Sequence, residues 1–267
     1  MDSDHICFED KRVSLRDRAF NYGDGLFTTL LYDGKKLHHW DAHVARFQHG
    51  LAVLSIPEPN WQTIYQAVLS RLSSERQVVK IHISRGCGGR GYACGEIEGP
   101  DIRISFNNFP KHYEMLQMSG VGLITCNFQL SIQPVLAGLK HLNRLEQVMI
   151  RQELDAKNAF EGIVCDYNGD VIECCSANIF WYSNGVWFTP ELSECGVKGI
   201  MRGHVIRQLQ ENAQSLQIGR FGIQNILSAE SVWICNSLMG IVPVFKVDQQ
   251  AYDVQQATEL SRRWLSA

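Results

Sequence analysis

Residues 164–188 read Val-Cys-Asp-Tyr-Asn-Gly-Asp-Val-Ile-Glu-Cys-Cys-Ser-Ala-Asn-Ile-Phe-Trp-Tyr-Ser-Asn-Gly-Val-Trp-Phe. Two strand-like runs, 164–172 and 179–188, each break at an Asn-Gly pair. Asn-Gly readily adopts the positive φ angles of a two-residue turn, so each run reads as a β-hairpin. Working outward, 121–128, 231–236 and 242–247 read as strands and 142–154 as a helix. A further helix starts near Ile200, with Val205, Leu209, Ala213 and Leu216 on one face. In the first half, 27–32 is a strand ending at an Asp33-Gly34 turn. Asp41 is placed to cap a helix with Val44, Phe47, Leu51 and Leu54 on its apolar side. A second helix over 62–72 and strands over 78–84 and 102–106 follow. Hairpins rather than regular βαβ units predict an α+β fold with largely antiparallel sheets. The polar segment 109–119, edged by Pro110 and Gly120, reads as a crossing between domains. The expected organisation is a small N-terminal α/β domain over 1–110, a linker over 111–120, and a larger C-terminal domain over 121–267.

The chain has 267 residues, 45% of them hydrophobic, with a formal net charge of −3. That length can bury one large core or two moderate ones. Without a basic run, nucleic acid is excluded as the main partner. No stretch approaches the ~20 apolar residues of a membrane span. The start, Met1-Asp2-Ser3-Asp4-His5, lacks the basic and apolar regions of a signal peptide, so a cytoplasmic location is expected. Nine cysteines, an odd count with no Cys-x-x-Cys pair, argue against a disulfide framework or a metal site.

Several positions could carry chemistry. Lys140 lies in Ala-Gly-Leu-Lys-His-Leu-Asn (137–143). Burial among small and apolar residues would favour its neutral, nucleophilic amine. Glu173, after a hairpin strand, could pair with a ring cation. Gly199 precedes a helix start, where the free amides of Ile200 and Met201 could receive an anion. Arg46, on a helix, suits a phosphate. Residues 84–92, Ser-Arg-Gly-Cys-Gly-Gly-Arg-Gly-Tyr, lack the Gly-Lys-Ser/Thr ending of a phosphate loop. They read better as a loop presenting Arg90 to a carboxylate. Taken singly, each of these residues also admits a plain solvent-facing or structural reading.

Together the segments resemble the fold-type IV pyridoxal-phosphate enzymes. The resemblance runs from Asp-Arg-Ala-Phe-Asn-Tyr-Gly-Asp-Gly-Leu-Phe-Thr-Thr (17–29) to Asn-Ser-Leu-Met (236–239) and Pro243. Three blocks resemble the aminodeoxychorismate lyases of that family more than its transaminases: 84–92, 136–147 (Leu-Ala-Gly-Leu-Lys-His-Leu-Asn-Arg-Leu-Glu-Gln) and 173–180. The resemblance implies pyridoxal 5'-phosphate as cofactor, received between two domains. It implies Lys140 as the Schiff-base lysine and Glu173 as partner of the pyridine nitrogen. Arg46, Ile200, Met201 and Ser237 are implied to hold the phosphate. Arg90 and Thr28 are implied to meet the substrate, 4-amino-4-deoxychorismate, and Phe27 and Thr28 to face the site. A homodimer is also implied, as is conversion to 4-aminobenzoate and pyruvate in folate biosynthesis. The rival within the family is a transaminase of D- or branched-chain amino acids. The rival outside catalysis is a non-catalytic cofactor-binding protein.

Overall fold

The structure is a computed structural model that describes residues 5–8 and 12–264; the acidic start at Met1, Asp2, Ser3 and Asp4 lies outside the described residues. The chain divides into two units, Met1–Phe109 with Leu139–Arg144, and Pro110–Gly138 with Leu145–Ala267. The short segment carrying Lys140 therefore belongs with the first half of the chain.

The first unit contains β1 (His5–Phe8), α1 (Arg18–Tyr22), β2 (Gly25–Tyr32), α2 (Trp40–Leu54), α3 (Trp61–Leu69), β3 (Gln77–Ser84), the short hairpin of β4 (Cys87–Gly88) and β5 (Ile97–Glu98), and β6 (Asp101–Asn108). Its main sheet has the order β1-β6-β3-β2. Only the β1–β6 pair is parallel. Strand alternation puts Leu26, Thr28 and Leu30 on the buried face of β2 and Phe27 on the other. Phe27 and Thr28, expected to face one site, thus leave the strand on opposite sides. Helix α2 packs closely on this sheet: a Cβ at Gly50 would stand 2.6 Å from Leu26 Cδ1. The helix is capped at His39, in the left-handed region, rather than at Asp41. Asp41 lies in the first turn, where its charge complements the helix dipole. The buried face is His43, Phe47, Gly50 and Leu51, displaced by one position at its start from the expected Val44 stripe.

The second unit contains α4 (His112–Ser119), β7 (Val121–Leu130), α5 (Leu145–Ala156), β8 (Glu161–Asp166), β9 (Val171–Cys174), β10 (Asn178–Ser183), β11 (Val186–Pro190), α6 (Ile200–Glu211), β12 (Leu216–Gly219), α7 (Ile223–Leu227), β13 (Ser231–Asn236), β14 (Gly240–Val247), β15 (Gln250–Ala251) and α8 (Val254–Trp264). Helix α4 occupies the segment read as a linker. The sheet order is β12-β11-β10-β13-β14-β7-β8-β9, with β15 on β14. Both expected hairpins form, β8–β9 and β10–β11. Asn184 and Gly185 both take positive φ, 50° and 80°, as a mirror-image two-residue turn requires. At the other hairpin only Gly169 does so, and Asp166 Oδ1 supports the turn by accepting from Asn168 and Asp170 N–H. The sheet is less antiparallel than expected, because β7 runs parallel to both β14 and β8. Its core stacks Trp181, Ile179, Ile234, Val232 and Val242 beneath these strands. Among the described residues no helix is long and apolar enough to cross a membrane.

Candidate active site

In the first unit the 139–144 segment lies along β2. Phe27 N–H donates to Lys140 O at 3.0 Å and Leu142 N–H to Gly25 O at 3.0 Å. The Lys140 ammonium sits 4.4 Å from the centre of the Phe27 ring, whose π-face attracts a cation. Behind β2, Arg46 Nη2 donates to Thr28 Oγ1 at 2.5 Å, and the same oxygen lies 2.5 Å from His43 Nδ1. Thr28 is 1% exposed, so its hydroxyl is engaged by Arg46 and His43 rather than open to solvent. His43 Nε2 is buried without a partner. Burial first, then the charges of Arg46, His39 and Lys140, push His43 well below the usual histidine range. His141 falls to about 4 through burial, Arg144 and Lys140; His82 falls to about 4 through burial, Lys80 and Arg103. Burial lowers Arg46 to about 10, which leaves it cationic at neutral pH. Burial is the larger cause at all three imidazoles, and nearby cations add to it.

The glycine-rich loop is built around two buried arginines that the sequence reading did not single out. Asp24 accepts from Arg18 Nε at 2.8 Å and from Arg85 Nε at 2.7 Å. Arg18 Nη1 also donates to the carbonyls of Gly91 and Ala93. Arg85 donates to the carbonyls of Leu54 and Ser55, tying the loop base to the end of α2. Burial opposes the charge on Asp24, but the bonds from Arg85 and Arg18 win and hold its carboxyl below the usual range. Arg90 stands exposed on this loop, and its guanidinium joins none of the described contacts to Thr28, Arg46 or Lys140.

In the second unit, Glu173 is buried on β9 and its Oε2 accepts from Val197 N–H at 2.8 Å. Gly199 caps α6 in an extended conformation with no side-chain cap bond. The first amides of α6 therefore have no intrahelical acceptor, at the positive end of the helix dipole. Ser237 lies in the turn after β13, shaped by Asn236 Oδ1 accepting from Leu238 and Met239 N–H. Asn236 Nδ2 donates to Ser176 O at 3.2 Å, which ties this turn to the segment after Glu173. Glu161, 1% exposed, holds the same segment from below: it accepts from Ser176 N–H and Oγ and from Gly162 N–H. Arg202, buried, pins α6 to β11 through Pro190 O at 2.8 Å. Sequence reasoning passed over His43, Glu161 and Asn178. A polar residue on an apolar helix face, or at a strand end, was the available signal.

The nine cysteines are free thiols. Burial and nearby carboxylates push Cys126 and Cys175 up to about 12 and Cys174 well above its usual value, so these thiols stay protonated.

Each unit by itself offers groups that suit part of a phosphorylated, cationic heteroaromatic aldehyde. The second unit offers a buried carboxylate, an uncapped helix start behind a residue without a Cβ, and a hydroxyl. The first offers a primary amine and a guanidinium. The chain belongs to the amino-transferase class IV family, whose model matches residues 25–247. It is 45% identical over 233 residues to an aminodeoxychorismate lyase of Vibrio harveyi, covering 87% of this chain and 86% of that one. The solved 4-amino-4-deoxychorismate lyase of Pseudomonas aeruginosa superimposes with a TM-score of 0.87 at 33% identity, over 96% of both chains. A D-alanine aminotransferase of Bacillus licheniformis is 26% identical over 244 residues, 89% of this chain and 84% of that one.

Proposed function

We propose that this chain is a pyridoxal 5'-phosphate-dependent lyase converting 4-amino-4-deoxychorismate to 4-aminobenzoate and pyruvate, in the route to folate. The observation that carries this reading is the 45% identity to the Vibrio harveyi lyase over most of both chains. When bound, the cofactor supplies an electron sink. The Lys140 amine takes the proton from the substrate carbon bearing nitrogen. The carbon–oxygen bond to the enolpyruvyl group breaks, the ring becomes aromatic, and Lys140 returns the proton to the departing enolpyruvate. No redox partner is needed, and a single mobile acid–base group balances the reaction. Glu173 holds the proton on the pyridine nitrogen. Arg46, the Ile200 and Met201 amides and Ser237 hold the phosphate. Arg90 orients a substrate carboxylate. Thr28 acts through Arg46, whose guanidinium its buried hydroxyl holds.

The second unit, chiefly residues 121–267, is proposed as the main cofactor-binding domain and 1–110 as the smaller domain. A homodimer fits the exposed apolar residues Leu145, Val148 and Met149, which share one side of α5. Nine free thiols suit a reducing cytoplasm.

The test couples the purified protein to chorismate, glutamine and an aminodeoxychorismate synthase. Equal yields of 4-aminobenzoate and pyruvate, absent with Lys140→Ala, are expected. Amino-group transfer between amino acids and keto acids, with no 4-aminobenzoate, would establish the transaminase instead. Sedimentation equilibrium tests the dimer.

A further inference from the structure

The segment 196–199 meets three parts of the second unit at once. Val197 N–H donates to Glu173 Oε2 at 2.8 Å. On its other side the segment forms a short parallel bridge, with Gly138 N–H donating to Gly196 O at 2.9 Å and Lys198 N–H to Gly138 O at 3.1 Å. Gly138 stands two residues before Lys140. The segment then ends at Gly199, the cap of α6.

One buried side chain reaches both the carboxylate and the helix cap. Asn178, 5% exposed at the start of β10, places its Nδ2 2.9 Å from Val197 O and 3.5 Å from Glu173 Oε2. Both are acceptors, so the amide nitrogen must face them and the amide oxygen must face the other way. That oxygen fills the space beside Gly199: a Cβ there would stand 2.0 Å from Asn178 Oδ1. Residue 199 is therefore confined to glycine as long as Asn178 keeps this orientation. Gly196 approaches from the other side at φ +78°, where a Cβ would meet Ile172 Cγ2 at 2.6 Å. Leucine at 178 would leave the Val197 carbonyl without this donor. Aspartate would set a second carboxylate against Glu173.

We infer that Asn178 is a positioning residue that locks the Glu173 carboxylate and the N-terminus of α6 into one rigid body, so that the nitrogen and phosphate ends of the pyridine ring are received at a fixed separation. This rests on the assignment of Glu173, Ile200 and Met201 to the cofactor. Glu173 acts on the ring; Asn178 acts through Glu173, Val197 and Gly199.

The test uses the apoenzyme titrated with pyridoxal 5'-phosphate labelled with 15N in the ring. Two readouts are followed: the cofactor Kd, and the 15N shift that reports protonation of the ring nitrogen. Asn178→Ala should weaken binding about tenfold, and move the 15N signal in the same direction as Glu173→Gln. Gly199→Ala should reproduce the Asn178→Ala result, because its methyl group displaces the amide. Should the alanine variant fail to fold by circular dichroism, Asn178→Ser, which is neutral and whose single O–H cannot donate to both acceptors, is judged by the same two readouts. Wild-type Kd and 15N shift in the Asn178 variants, with Glu173→Gln shifted, would overturn the inference alone. An unmoved signal in Glu173→Gln would overturn the assignment of Glu173 and the inference with it.

Discussion

Replacing Thr28 by valine removes one oxygen while nearly preserving volume, and the structure sets what that costs. Thr28 Oγ1 accepts from Arg46 Nη2 and bonds His43 Nδ1, both at 2.5 Å. His43 is 1% exposed and its Nε2 already lacks a partner, so the substitution leaves neither ring nitrogen bonded. An unsatisfied buried polar group costs ~1–3 kcal/mol. Arg46 is partly exposed and can turn a freed N–H towards water, so its loss is nearer ~1 kcal/mol. The sum is ~2–4 kcal/mol, or a fall of ~1–2 M in the urea midpoint at unchanged slope. Thr28→Ser keeps the hydroxyl and loses only a buried methyl group, at ~1 kcal/mol. Urea unfolding of the apoenzyme, followed by circular dichroism, separates the two. If serine costs as much as valine, the packing of the methyl group matters and the His43–Thr28–Arg46 chain does not.

The apoenzyme should lose stability as pH falls from about 6.5 towards 4, because His43, His82 and His141 are held below their unfolded value of 6.5 and the unfolded chain takes up protons first. A melting temperature that stays level across that window would contradict the burial of these rings as neutral groups. Asp24, with its depressed pKa, adds a separate loss only at lower pH, as it is protonated. Asp24→Asn removes the charge shared by Arg18 and Arg85 and should speed tryptic cleavage after Arg90 about tenfold through easier local opening of the loop; an unchanged rate would show that the carbonyl contacts of Arg18 hold the loop unaided. Borohydride reduction of the cofactor-loaded enzyme and peptide mapping should place the label on Lys140, and a label on Lys80 would overturn its assignment.

The elements that declared themselves in the sequence are those set by local rules. Asn184-Gly185 forces its turn, and the apolar spacing of Val205 and Leu209 gives α6 whatever surrounds it. What stayed hidden depends on distant partners. The parallel pairing of β7 with β14 and β8 joins segments far apart in the chain, and nothing in 121–130 distinguishes parallel from antiparallel edges. The pairing of Leu26 with His141, which carries Lys140 into the first unit, is likewise non-local. Helix α8 went unread because its apolar positions are few and their partners, Trp233 and Cys235 on β13 among them, lie elsewhere in the chain. Of the proposed site, Lys140 and Glu173 were legible through a family resemblance and Gly199 through its place before a helix start. Asn178 and His43 were not, because their part is played against other side chains.

Two ammonium groups lie near Phe27, and the choice between them shows what the fold adds to the pattern. Lys140 is 4.4 Å from the ring centre and Lys80 is 4.9 Å. Distance alone does not choose. Their surroundings do: the charge of Lys140 is felt by both His43 and His141, whereas that of Lys80 is felt by His82, on the same strand and two residues along. The groups that feel the charge of Lys140 thus stand on α2 and on its own segment. Its backbone is also fixed, since its carbonyl accepts from Phe27 N–H and Gly138, two residues earlier, is bridged to the 196–199 segment. In the proposed reaction the amine must first bond covalently and later carry a proton, which needs a fixed base and a mobile tip. Lys140 has the fixed base, and its four-carbon side chain supplies the mobile tip.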